Sequence, residues 1–233
     1  MKKIAWGAIT LLFVAAIVLG QAQQKSDERF DSLVRDDFFA GMDGDTARFD
    51  RAMKTCEEEL AKNPKNAAAM VWHGAGLYVK GGITIGKGDY ANGKPMVSRG
   101  GQEMADAVAL DPESVQTRIP RAAMYIGAAR KMADTYSKPI LELAVGDYEK
   151  VLQLQQSYFN TLPTHSRGEL LGGLAEGYWR LGNYEKSTTY LDRLIKELPG
   201  TPYERQAKRW RVDLPKVDRQ EHFCLGCHMG GNS

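Results

Sequence analysis

At 233 residues, 43% hydrophobic and 26% charged, the chain has enough apolar material for a buried core and lies outside the composition range of disordered chains. Its formal net charge is only +2, with Lys and Arg spread along the chain, which excludes the concentrated basic footprint of a nucleic-acid-binding domain. Three cysteines is an odd count, so a framework made only of disulfides is excluded as well.

In chain order, the first predicted element is an export signal over residues 1–22. Met1-Lys2-Lys3 is a short basic region, and Ile4 to Leu19 is almost continuously apolar. Gly20-Gln21-Ala22 then offers the small residues that a signal peptidase reads. The apolar run falls short of the roughly 20 residues that comfortably span a bilayer. Cleavage is therefore the expectation, an uncleaved anchor helix the alternative, and membrane attachment belongs only to that alternative. No Cys follows the run, which excludes a lipoprotein. On either reading the folded part is periplasmic or otherwise exported.

Residues 30–210 read as helical hairpins. Asn63-Pro64 and Asp111-Pro112 mark the ends of two early units, and Met70, His73, Gly74, Leu77 and Gly81 fall in one frame between them. Cys56 lies in a predicted helix, where it reads as a small buried apolar residue. The stretch Gly82 to Pro95, rich in Gly and Lys, reads as an inserted loop. Its start, Gly81 to Lys87, has the outline of a phosphate loop, but Gly88 stands where Ser or Thr is needed and no strand precedes it. Ala144, Tyr148 and Val151 read as the second helix of a later hairpin.

The clearest unit follows. Leu171, Leu174, Tyr178 and Leu181 recur at three- and four-residue steps, making one apolar helical stripe. Gly182-Asn183 breaks that helix, a second stripe runs through Tyr184, Leu191 and Leu194, and Pro199-Gly200 stops it. The segment from Pro199 to Trp210 then reads as a polar capping helix.

The positions Leu171, Leu174, Ala175, Tyr178, Gly182, Tyr184, Ser187, Leu191 and Pro199 closely resemble the tetratricopeptide repeat. The resemblance implies an all-α solenoid of antiparallel helical hairpins over residues 30–210, with about four repeats. The Gly82–Pro95 insertion and long helices around Met124 and Leu141 make that solenoid irregular. In this family the first helices line a concave groove, which would place Trp179 and Arg180 against a protein partner. The plainer reading is an exposed Arg beside an aromatic packed on the capping helix.

The last predicted unit is a tail, residues 211–233, containing Cys224-Leu225-Gly226-Cys227-His228. This has the pattern of c-type haem attachment. Two thiols at that spacing reach the two vinyl groups of one porphyrin, and the adjacent His meets the iron as proximal ligand. Such attachment takes place outside the cytoplasm, in agreement with the export signal. Other readings of the motif are a disulfide loop, a redox dithiol and a metal site. A dithiol of the thioredoxin kind wants a preceding strand. A zinc site of His222, Cys224, Cys227 and His228 would crowd four ligands into seven residues, which rarely closes a tetrahedron.

The distal haem ligand is open among His165, His73 and His222, the last reaching a neighbouring molecule's haem. His73 in particular occupies a repeat position that is ordinarily apolar and reads equally as a satisfied core histidine. No nucleophile–base, paired-carboxylate or metalloprotease arrangement stands out, so no catalytic residue and no enzymatic activity are expected.

The expected cofactor is one covalent haem c, and the expected role is electron transfer with protein partners, in a redox complex or homo-oligomer. The competing class is a non-redox repeat scaffold in the cell envelope. The exported chain should begin near Gln23. Its intact mass tests this, and retention of Lys2 and Lys3 would mean the anchored form.

Overall fold

The computed structural model describes residues 30–223; the export segment and the Cys224–His228 motif lie outside the described residues. Nine α-helices and no strand occur among the described residues. They are α1 (residues 30–42), α2 (Thr46–Lys62) and α3 (Ala67–Gly86), α4 (Tyr90–Leu110) and α5 (Val115–Ala129), α6 (Asp134–Gln155) and α7 (Thr164–Arg180), and α8 (Tyr184–Glu197) and α9 (Pro202–Val212). The chain is all-α, as expected.

Local chemistry explains most boundaries. Asp45, Asn66, Asp89, Ser114, Asn183 and Thr201 each cap a helix, their side chains accepting a backbone N–H of the first turn. Gly182 ends α7 at φ +74° and Gly200 follows α8 at φ +78°, left-handed positions that glycine takes without steric penalty.

Each helix packs on its sequence neighbour, and α3, α5 and α7 also touch in alternating order. The seam of the α7/α8 pair buries Leu171, Leu174, Leu191 and Leu194 fully, as predicted, whereas Tyr184, expected on the second stripe, is exposed at the start of α8. At the other end Phe38 stacks on Trp72 at 5.4 Å and meets Phe49 edge-on at 5.5 Å. Cys56 is completely buried in this region, and burial pushes its thiol up to about 12. It stays a neutral packing group at physiological pH.

One expectation is corrected. Gly82 to Pro95 is not an inserted loop, because α3 runs on to Gly86 and α4 begins at Tyr90. Pro95 is the sixth residue of α4, so it withholds only the bond to the first turn and the helix continues through it. The glycines serve contact rather than flexibility. A Cβ on Gly74 would lie 2.7 Å from the Gly100 carbonyl oxygen, and one on Gly81 would lie 2.8 Å from that of Gly93. The two helices cross backbone to backbone at both places.

Two buried carboxylates tie the layers together. Asp147 of α6, 1% exposed, accepts from Arg118 at 2.6 Å and from Arg121 at 2.6 and 2.8 Å, both on α5. Burial of this charge is tolerable only because its oxygens are saturated by two guanidinium groups. The second such carboxylate is Glu176.

The close crossing generates a prediction. Gly100→Ala places a methyl group 2.4 Å from the Gly74 carbonyl oxygen, so the helices must separate at a cost of about 1–3 kcal/mol. Gly101→Ala meets nothing nearer than the Tyr125 hydroxyl at 3.8 Å and should be neutral or stabilising by up to about 1 kcal/mol. Thermal melts followed by circular dichroism separate the two. Equal melting temperatures would show that α3 and α4 do not approach this closely.

Candidate functional site: the docked tail

The site grows from one face of α7. His165, Glu169, Gly172, Glu176 and Arg180 follow one another at three- and four-residue steps, which aligns them along a single helical stripe. This stripe lies beside the apolar one that packs on α8. Its centre is Glu176, completely buried.

Glu176 receives a two-pronged pair from Arg130, the C-cap residue of α5, with both contacts at 2.8 Å, and a further 2.8 Å bond from Arg180 one turn along. Its fourth donor is the backbone N–H of Phe223 at 2.9 Å. Burial by itself would push this carboxyl up. Arg130, Arg180 and the Phe223 amide outweigh that and hold it below the usual carboxylate range.

The tail is thereby drawn onto the helices. The Trp179 indole donates to the Leu214 carbonyl at 2.9 Å. Arg180 donates to the Arg219 and Glu221 carbonyls at 3.2 and 3.1 Å. Gln206 of α9 donates to the His222 carbonyl at 2.6 Å, and the Trp210 indole donates to the Glu221 carboxylate at 2.9 Å. Arg219 pairs with Asp134 at the surface. Each bond satisfies a backbone or indole group that would otherwise be unpaired in a dry seam.

Apolar packing follows the same path. Phe223 is 2% exposed, meets Trp210 edge-on at 4.7 Å, and lies where a Cβ on Gly172 would touch it at 3.0 Å. Trp210 in turn lies 4.9 Å from Trp179. The tail therefore runs antiparallel to α7, from Trp179 past Arg180 and Glu176 to Gly172. The capping helix α9 is correspondingly not a plain polar cover, since Tyr203, Gln206, Ala207 and Trp210 are buried. Trp179 and Arg180, expected either at a partner groove or at an exposed cap, are buried beneath the chain's own tail.

Of the residues predicted to hold the cofactor, Cys224, Cys227 and His228 lie outside the described residues. Phe223, directly preceding Cys224, is the last described residue. The three candidate distal histidines fall in different places. His73 is buried in α3 with Nδ1 2.5 Å from Glu103 and Nε2 3.8 Å from Glu57. His222 sits in the tail with its Nδ1 buried and without a hydrogen-bond partner among the described residues.

His165 lies at the surface in the first turn of α7. Its Nδ1 is 3.0 Å from the Tyr203 hydroxyl, which also donates to Glu169 at 2.8 Å. Among the described residues no group of three or more His, Cys, Asp or Glu is arranged to hold a metal ion, and no helix there is long and apolar enough to cross a membrane.

Sequence reasoning missed Glu176, Arg130 and the docking of the tail. Glu176 and Arg180 show only the four-residue spacing of an ordinary surface ion pair, and Arg130 lies 46 residues away. The one legible signal was a pair of tryptophans and an arginine at 179, 180 and 210. Comparison with known proteins returns no matching family model, no matching curated protein and no matching solved structure.

Glu176→Gln keeps the shape and removes the charge that two arginines share. It should cost about 3–5 kcal/mol and accelerate tryptic cleavage after Arg219 at least tenfold. The wild-type stability from Glu176 is fully present above its ordinary pKa of 4.5 and is lost as pH falls through its lowered folded value. The variant's acid limb should be shallower. An unchanged melting temperature and cleavage rate would show that the tail is held by other contacts.

Proposed function

We propose that this chain is an exported electron carrier or relay in which a tetratricopeptide-like helical stack presents a single haem c on its docked tail. The succession of helix pairs α1/α2 through α7/α8, followed by α9, is what supports the repeat part of this reading. The observation that carries the functional reading is the docking of residues 214–223. The chain is held on α7 and α9 by five side-chain-to-tail bonds, from Trp179, Arg180, Gln206 and Trp210, and by the Phe223 amide on Glu176. The last described anchor is Phe223, the residue before Cys224.

A tail too short to wrap a cofactor by itself needs such a wall. Trp179, Trp210 and Phe223 form a buried apolar layer that runs up to the residue before Cys224. Glu176, Arg130 and Arg180 fix where the motif begins.

The donor chemistry fits the group. Cys224 and Cys227 would form the two thioethers and His228 would be the proximal ligand. The Nδ1 of His222, two residues before Cys224, is buried and has no hydrogen-bond partner among the described residues. A buried ring nitrogen left unpaired costs about 1–3 kcal/mol. When bound, haem supplies a one-electron ferrous–ferric couple, and the surrounding chain sets its solvent access and hydrogen bonding. Donor and acceptor are protein partners that meet the tail-bearing end.

The full chain, with its export segment, should be produced in a host that attaches c-type haem. One haem per chain is expected by haem stain and pyridine haemochrome. Cys224→Ala with Cys227→Ala should abolish it while leaving the far-ultraviolet helical signal unchanged, because the described core is complete without the motif. His228→Ala should weaken attachment. A wild-type chain that remains colourless would eliminate the electron-transfer reading and leave the scaffold.

A further inference from the structure

The close crossing of α3 and α4 ends before the helices do. Gly81 is the last buried residue of α3, Gly93 is the first of α4, and no residue from 82 to 92 is buried. α3 runs on to Gly86 and α4 begins at Tyr90, so beyond the crossing α3 advances about 8 Å. The tip of this hairpin is a convex projection with no core of its own.

Two of its glycines have no packing role. A Cβ on Gly82 or Gly86 would meet nothing within 4 Å, unlike one on Gly81 or Gly93, and a helical glycine weakens its helix relative to alanine. Their effect is to leave Ile83 uncovered. That side chain lies between them on α3 and is 54% exposed, and Tyr90 at the start of α4 is 57% exposed. A single exposed apolar residue is ordinary on a protein surface. These two stand beside bare backbone and are accompanied by charge of one sign.

Lys80, Ile83 and Lys87 follow one another at steps of three and four residues, which sets them on one helical stripe. Lys94 follows Tyr90 by one turn on α4, its Nζ 5.9 Å from the ring centroid. All three lysines are exposed. From 80 to 97 the sequence holds these three cations, no Arg and the single acid Asp89, whose carboxylate is taken up by Asn92 at the α4 cap. A lysine is a compact charge on a flexible stem, without the fork by which arginine grips one carboxylate. Three of them around two apolar side chains on a convex tip suit a diffuse anionic plane. There the stems lie over the apolar layer and the ammonium groups stay at headgroup level.

We propose that the α3/α4 tip is a peripheral docking surface for a bilayer that contains anionic lipid. Lys80, Lys87 and Lys94 meet headgroup phosphates, and Ile83 and Tyr90 enter the interfacial layer. This surface is independent of the haem reading.

The test uses the whole chain as a host exports it. Vesicles of phosphatidylglycerol with phosphatidylcholine are compared with vesicles of phosphatidylcholine alone. Wild type should partition more strongly onto the anionic vesicles, and raising salt from about 0.05 to about 0.5 M should remove that difference. Lys80→Gln, Lys87→Gln and Lys94→Gln should each lower the partition coefficient about fivefold. Ile83→Ser should lower it about tenfold with the helical signal unchanged. Lys62→Gln with Lys65→Gln removes two exposed charges at the opposite end of α3 and should change it by less than about twofold. An export segment left on the chain would bind either vesicle, so the tip is also read directly. Tryptic cleavage after Lys87 should slow severalfold on anionic vesicles and stay unchanged on phosphatidylcholine. The proposal is overturned if anionic vesicles leave that cleavage unchanged, or if the Lys62/Lys65 variant loses as much partition as the tip variants. It is equally overturned if protection of Lys87 requires an added membrane protein fraction, which would make the tip a protein-docking surface.

Discussion

A carboxylate taken completely out of water is costly unless every lone pair finds a donor, and Glu176 finds four from three separate parts of the chain. Arg130 reaches it from the C-terminal cap of α5, Arg180 from its own helix, and the Phe223 amide from the tail. Because desolvation of the charge would cost several kcal/mol if any partner were withdrawn, this one group sets several things together. It fixes the separation of α5 and α7, the turn of α7 that faces the tail, and the residue at which the tail comes to rest. The aromatic wall of Trp179, Trp210 and Phe223 closes over it and keeps the pair dry, which in turn strengthens the electrostatic attraction.

The same economy runs through the rest of the stack. Asp147 joins α5 to α6 through Arg118 and Arg121, so α5 holds a buried carboxylate of each of the next two inner elements. Between α3 and α4 the device differs. Paired glycines let the backbones meet at 74/100 and 81/93, and dispersion along a long contact replaces interdigitating side chains. A network at the edge of the α7/α8 pair joins Glu149, Tyr178 and Lys186, and burial together with the neighbouring Glu149 pushes the Tyr178 hydroxyl up to about 12. These polar ties orient helices whose apolar stripes alone would tolerate some sliding.

The functional reading follows from the way the tail is spent. Ten residues, 214 to 223, are anchored by groups that a free-standing helical repeat would turn outward to a ligand. Arg180 and Trp179 give their donors to tail carbonyls, and α9 gives Gln206 and Trp210. An intramolecular segment thus occupies the face where the repeat resemblance would put a partner. Cys224 follows Phe223 directly in the sequence.

Much of the helical architecture was legible from local chemistry. The stripe of Leu171, Leu174 and Tyr178, the stop at Gly182-Asn183 and the ends at Asn63 and Asp111 depend on periodicity and capping, which act within a few residues. The Cys224–His228 spacing is equally local, a pattern within five residues, and lies outside the described residues. The Gly82–Pro95 segment was misread because glycine signals both a turn and a close helix crossing. Only the mirrored seven-residue spacing of 74, 81, 93 and 100 distinguishes the two, and it has meaning only once α3 and α4 are paired. What only the tertiary structure decided is the burial of Glu176, the docking of the tail, and the meeting of Tyr203 with Glu169. Each depends on donors 34 to 47 residues distant in the chain, and no local pattern encodes which distant arginine, tyrosine or amide will arrive.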